Sequence, residues 1–63
     1  MYRVENAKCT RQSREAILVE APDFDEPQWI PQSVVHDDSE VYEKDGEGTL
    51  IIEDWFANEK GWL

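Results

Sequence analysis

Apolar positions along this chain fall in short runs and alternations of strand length rather than in helical periods. Tyr2, Val4, Ala7 and Cys9 punctuate a mixed stretch from Tyr2 to Thr10, and Ala16-Ile17-Leu18-Val19 is a compact apolar run. The polar Arg11-Gln12-Ser13-Arg14 between them suits a hairpin connection, so the two segments predict paired strands. A third strand is expected over Trp29–Val35. There Pro31 argues for an edge or a bulge, because a central strand would need the N–H that proline lacks. After a turn at His36–Ser39, Glu40–Glu43 and Thr49–Ile52 flank Lys44-Asp45-Gly46-Glu47-Gly48. The Asp-Gly step is a strong hairpin signal, so these two segments predict a second strand pair.

Two segments depart from strand patterning. Pro22-Asp23-Phe24-Asp25-Glu26-Pro27 is acidic and bounded by prolines, which remove donors and restrain the residues before them; it reads as the longest loop. Phe24 within it either folds back on the core or stays on the surface as an anchor. The C-terminus predicts one or two turns of amphipathic helix. Glu53 and Asp54 sit where a helix N-terminus favours negative charge, Trp55 and Phe56 supply an apolar face, and Lys60 precedes Gly61, a natural stop. A left-handed Gly61 would turn Trp62 back onto Phe56 or Ala57. A helix this short must dock on the sheet to persist. The expectation is one small domain, residues 1–63, mainly β within the small α+β class: about five antiparallel strands in a meander or SH3-like barrel, with one short C-terminal helix.

Composition sharpens this picture. With 63 residues, 40% of them hydrophobic, the chain has enough apolar content to fold around a single core. It should do so marginally, since ordering costs about 1.5 kcal/mol per residue and nearly cancels the return from burial. Fifteen acidic residues against six basic ones give a formal charge of -9. The imbalance is uneven: residues 1 to 14 hold four cations and one acid (+3), while residues 15 to 63 hold fourteen acids and two cations (-12). An acidic body repels nucleic acid and anionic membranes, and approaches a basic groove quickly. No signal-type apolar segment and no run of 18 apolar residues is present, so neither secretion nor membrane insertion is expected.

Candidate chemistry is sparse. Cys9 is the single cysteine, which excludes an intramolecular disulfide, fits a reducing cytoplasmic setting, and reads as a small core or strand residue. A catalytic thiol would need His36, the only histidine, as its base. Glu43 to Asp54 resembles the twelve-residue calcium loop of EF-hand proteins, with Asp45, Gly48 and Leu50 at the third, sixth and eighth positions. However, Glu43, Glu47 and Asp54 have the wrong side-chain length at the first, fifth and twelfth, and no entering helix precedes them. His36, Asp37 and Asp38, with Glu40 and Glu43, could approach a hard divalent cation, but carboxylates at such places usually form turns and caps. Neither a nucleophile elbow nor a phosphate-binding glycine loop is present. The expectation is therefore no enzyme, no metal and no cofactor.

Three tryptophans are too many for so small a core. Trp55 is expected to cover the sheet, whereas Trp29 and Trp62 are candidates for either burial or an interface. The spacing Trp29-x-Pro31-x-Ser33-x-Val35 is similar to the tryptophan-proline stretch of SH3-type barrels, which implies a barrel-like fold and, in that family, a groove for extended peptides. Trp29–Val41, Glu47–Ile52 and Trp55–Gly61 together resemble short uncharacterised proteins of bacteria and their phages. That resemblance implies a setting in which small acidic proteins inhibit host defence or nucleic-acid machinery, anti-CRISPR proteins among them.

These readings converge on a non-catalytic interaction protein, a phage-encoded acidic inhibitor that occupies the basic nucleic-acid-binding surface of a larger host protein. Its contact residues are expected among Asp23, Phe24, Asp25, Glu26, Trp29, Asp37, Asp38, Glu40, Glu43, Asp45, Glu47 and Trp62, with carboxylates meeting Lys and Arg and an aromatic side chain fixing register. Direct nucleic-acid or membrane contact is not expected on this reading, and the edge strand leaves a homodimer open. The alternative is a small barrel that binds single-stranded nucleic acid through Arg3 to Arg14 and exposed tryptophans.

Overall fold

A computed structural model describes all 63 residues. Four strands, β1 (Tyr2–Gln12), β2 (Ala16–Glu20), β3 (Gln28–Pro31) and β4 (Glu47–Ile52), form one antiparallel sheet in the order β3-β2-β1-β4. A 3-10 turn at Gln32–Val34 follows β3, and helix α1 (Asp54–Glu59) follows β4. Three strands joined in sequence, with the fourth returning beside the first, make a Greek key. The fold is mainly β with a short C-terminal helix, as the sequence predicts. The sheet is open and has four strands.

Irregular spacing of apolar residues in β1 has a geometric cause. Val4, Ala7 and Cys9 all face the core although the first two are three residues apart. Against β4 the register slips between Val4 and Ala7, where Asn6 has φ 57; against β2 it slips between Cys9 and Arg11. Each slip is a bulge in which one added residue resets the inward alternation. Val4 thus pairs with Leu50, Cys9 with Val19 and Ile17 with Ile30, all buried. Val34, Val41, Ile52, Phe56 and Ala57 complete the core from the 3-10 turn, the long loop, β4 and the helix.

Two strand assignments are corrected. The third strand stops at Pro31 rather than Val35, because Gln32–Val34 turn into the 3-10 segment that buries Val34. Glu40–Glu43 is not a strand, and Asp45-Gly46 does not close a hairpin. Val35 to Gly46 is instead one long loop, longer than the proline-bounded segment. The buried Ser39 hydroxyl takes the N–H groups of both Val41 (3.2 Å) and Ile51 (3.1 Å), so the backbone ladder that a hairpin needs is broken by a side chain. Asp45 and Gly46 bond across to Cys9, whose N–H reaches the Gly46 carbonyl at 2.9 Å and whose carbonyl accepts from Asp45 N–H at 2.8 Å.

Helix α1 ends as its sequence predicts. Gly61 has φ 79; its N–H donates to the Asn58 carbonyl at 3.1 Å, and Trp62 N–H donates to the Ala57 carbonyl at 2.9 Å. These two bonds are the Schellman arrangement, and the chain then carries Trp62 back across Phe56, 6.0 Å between ring centroids. A Cβ at Gly61 would meet nothing within 4 Å, so only the left-handed backbone opposes a side chain there. Gly61→Ala should therefore destabilise the protein by about 1 kcal/mol, and Gly61→Asn by less. Urea unfolding followed by tryptophan fluorescence measures both, and an unchanged Gly61→Ala midpoint would contradict the cap.

Candidate interaction surface

Along the free edge of β4 the long loop is tied down at intervals. Val35 bridges Ile52, His36 N–H donates to the Ile51 carbonyl (2.8 Å) and Glu40 N–H to the Thr49 carbonyl (2.9 Å). The β4 edge is thereby covered, while β3 keeps an open one, bracketed by Pro27 and Pro31. Prolines at an edge limit pairing with another strand.

Burial on one face and tethering on the other leave the carboxylates outside. Asp37, Asp38, Glu40, Glu43, Asp45 and Glu47 are all exposed along the loop and the start of β4; Asp23, Asp25 and Glu26 are exposed in the β2–β3 connection. No lysine or arginine forms an ion pair with any carboxylate. The Met1 amine pairs with Asp54 at 3.5 Å, and the Asp38 carboxylate lies 3.7 Å from His36 Nδ1. Glu40 alone has a structural duty, accepting the Thr49 N–H at 2.8 Å.

The aromatic candidates separate. Phe24 folds back on the core and stacks on Trp62 with centroids 4.5 Å apart, and Tyr2 and Phe56 complete the cluster, so Phe24 and Trp62 are half-buried. Trp29 remains 46% exposed on the edge strand. Trp55 is 57% exposed and does not cover the sheet. Neighbouring helix residues point about 100° apart, so one of Trp55 and Phe56 must face away, and Phe56 with Ala57 takes the inward side.

Arg3, Lys8 and Arg11 lie on the outer sheet face, while Lys44 sits exposed within the acidic loop between Glu43 and Asp45. Cross-strand pairing sets Arg11 beside Leu18 and Leu18 beside Trp29, with Arg3 opposite Ile51 and Lys8 between Glu20 and Glu47. Directly paired residues share a sheet face, so these lie on the face away from the core.

Cys9 is fully buried, its thiol donating to the Arg11 carbonyl at 3.0 Å. Burial raises its pKa above the ordinary thiol value, against a smaller lowering by backbone hydrogen bonds. His36 Nδ1 accepts the Asp38 N–H at 3.1 Å, so the hydrogen bonds of thiol and imidazole are both local and do not join the two groups. The stretch resembling a calcium loop is divided between the end of the long loop, β4 and the start of α1, and no three His, Cys, Asp or Glu side chains converge with metal-binding geometry. No helix is long and apolar enough to cross a membrane.

One concavity was not foreseen. Gln32, Val35, His36, Asp37 and Tyr42 line a solvent-open pocket of about 330 Å³. Gln32 is also a wall of a second, more open trough bordered by Glu15 and Pro31. Sequence patterning puts Gln32 in the expected strand Trp29–Val35 and Tyr42 in Glu40–Glu43, and no local spacing joins the two. Comparison with family models, with curated proteins and with solved structures finds no match.

Proposed function

We propose that this chain is a non-catalytic interaction module that presents its acidic loops to a larger basic protein, and that it acts as an inhibitor by covering a surface meant for nucleic acid. The observation that carries this reading is the exposure of carboxylates that no lysine or arginine pairs. Nine carboxylates of the two loops and the start of β4, Asp23, Asp25, Glu26, Asp37, Asp38, Glu40, Glu43, Asp45 and Glu47, stand in solvent without a lysine or arginine ion-pair partner from their own chain. Exposed, unpaired charges of one sign accelerate encounter with a complementary surface and are screened beyond about 8 Å at physiological salt. The phage setting implied by the sequence resemblance belongs to this proposal.

Affinity should therefore fall steeply with salt. A tagged chain used to capture partners from bacterial lysate, with nuclease present, should retain a basic protein at low salt and lose it at moderate salt. Combined Asp37→Asn, Asp38→Asn, Glu43→Gln and Asp45→Asn should weaken capture at least about tenfold, as loss of several interface charges does. Capture that ignores both salt and these substitutions would refute the acidic-surface reading.

A second reading has its own observation. Arg3, Lys8 and Arg11 share the outer sheet face with Leu18 and the exposed Trp29, an arrangement on which single-stranded bases could stack. Gel-shift binding of single strands at physiological salt, abolished by Trp29→Ala, would favour it over the acidic surface.

A further inference from the structure

The geometry points to the pocket between the 3-10 turn and the long loop as a receptor for the guanidinium group of an arginine side chain, presented by a peptide or protein segment. This deepens the acidic-loop reading and rests on it. The pocket unites three kinds of group that recognise guanidinium. Asp37 offers an exposed carboxylate that no residue of the chain engages, suited to the two parallel N–H donors of arginine. Tyr42 is 56% exposed and lends a flat ring to a planar cation. Gln32 directs its side-chain N–H at the Ser13 carbonyl (3.4 Å), which leaves its amide oxygen as an acceptor. Val35 adds apolar surface for the aliphatic stem.

Electrostatics admit a cation and no anion here. Asp38 lies next to the pocket, with its carboxylate 3.7 Å from His36 Nδ1, and Glu15 borders the adjoining trough. The His36 ring is oriented by the Asp38 N–H on Nδ1, which puts the proton of the neutral ring on Nε2. Lysine carries the same charge on a compact, strongly hydrated head that gains less from a planar ring and a bidentate carboxylate. The pocket should therefore prefer arginine.

The test is a titration of the full chain with a capped Gly-Arg-Gly peptide, followed by NMR amide shifts at physiological salt, against the same peptide with lysine or citrulline. The arginine peptide should shift the amides of Gln32 to Tyr42 saturably, and citrulline should shift none. Asp37→Asn should weaken binding about tenfold, as expected for a charge-assisted pair. Tyr42→Ala should weaken it about two- to fivefold, the range of an exposed cation-ring contact. Both side chains are exposed, so both variants should stay folded. Asp23→Asn combined with Asp25→Asn, in the other acidic loop, should leave the affinity within twofold. Equal binding of lysine and arginine, or shifts unaffected by Tyr42→Ala and Asp37→Asn, would overturn the pocket while salt-sensitive partner capture stands. Salt-insensitive capture would overturn the acidic-surface reading without altering the titration.

Discussion

Leu50→Ala should abolish cooperative folding at physiological temperature. Leu50 is fully buried in β4, paired with Val4 across the sheet, in a core that the helix and long loop close from one side. Truncating a buried leucine costs about 2–5 kcal/mol, because the transfer energy of the lost atoms is joined by a cavity that neighbours fill only in part. A chain of 63 residues holds roughly 3–9 kcal/mol at the usual stability per residue. The substitution therefore removes much or all of the margin. Far-UV circular dichroism against temperature should show a shallow or absent transition for Leu50→Ala. Ile17→Val, at an equally buried place in β2, should lose only about 0.5–1.5 kcal/mol and keep a sharp melt. A sharp Leu50→Ala transition close to that of the parent chain would mean the Greek-key core is not packed as described.

What the sequence disclosed, and what it hid, divides by the range of the interactions. The β1–β2 hairpin, the apolar stretch of β4 and the glycine-capped helix rest on neighbours along the chain, and the apolar pattern reports them. Pairing of β4 with β1 joins residues about forty to fifty positions apart and leaves no periodic trace. The same holds for Asp45-Gly46, whose turn signal is genuine but whose hydrogen bonds go to Cys9. Composition could show that the loops are acidic, and exposure of every loop carboxylate follows from the cost of burying charge. The pocket was hidden because Gln32 and Val35 arrive from one side of the return and Tyr42 from the other, so no local spacing encodes it. Of the helix indoles only Trp55 departs from expectation, because Phe56 takes the inward side of a helix whose neighbouring positions diverge by about 100°, while the Gly61 cap turns Trp62 back as the sequence predicts.

Ser39→Ala should be the most damaging polar substitution in the molecule, although it deletes a single oxygen. Ser39 is the only buried polar residue, and its hydroxyl replaces the strand ladder where the long loop meets β4. It accepts from Val41 N–H at 3.2 Å and Ile51 N–H at 3.1 Å while donating to the Val41 carbonyl at 2.8 Å. Alanine fits the space but leaves two buried amides without an acceptor, at about 1–3 kcal/mol for each unsatisfied group. The expected loss is about 2–4 kcal/mol, with part of the range reflecting any water that enters to replace the hydroxyl. Native-state hydrogen exchange gives the sharper readout: the Ile51 and Val41 amides should lose protection before the β1–β2 amides do, because the loop is released from the β4 edge first. Ser33→Ala, at an exposed serine in the 3-10 turn, should change stability by no more than about 0.5 kcal/mol. The two serines separate the cost of losing a hydroxyl from the cost of stranding the amides it satisfies. If Ser39→Ala melts with Ser33→Ala and protection at Ile51 is unchanged, the loop is held by its apolar contact through Val41 and not by the serine. If protection collapses at Ile51 while β1 and β2 remain closed, the loop that carries Asp37 and Tyr42 is a separately releasable unit, and loss of arginine binding should accompany its release.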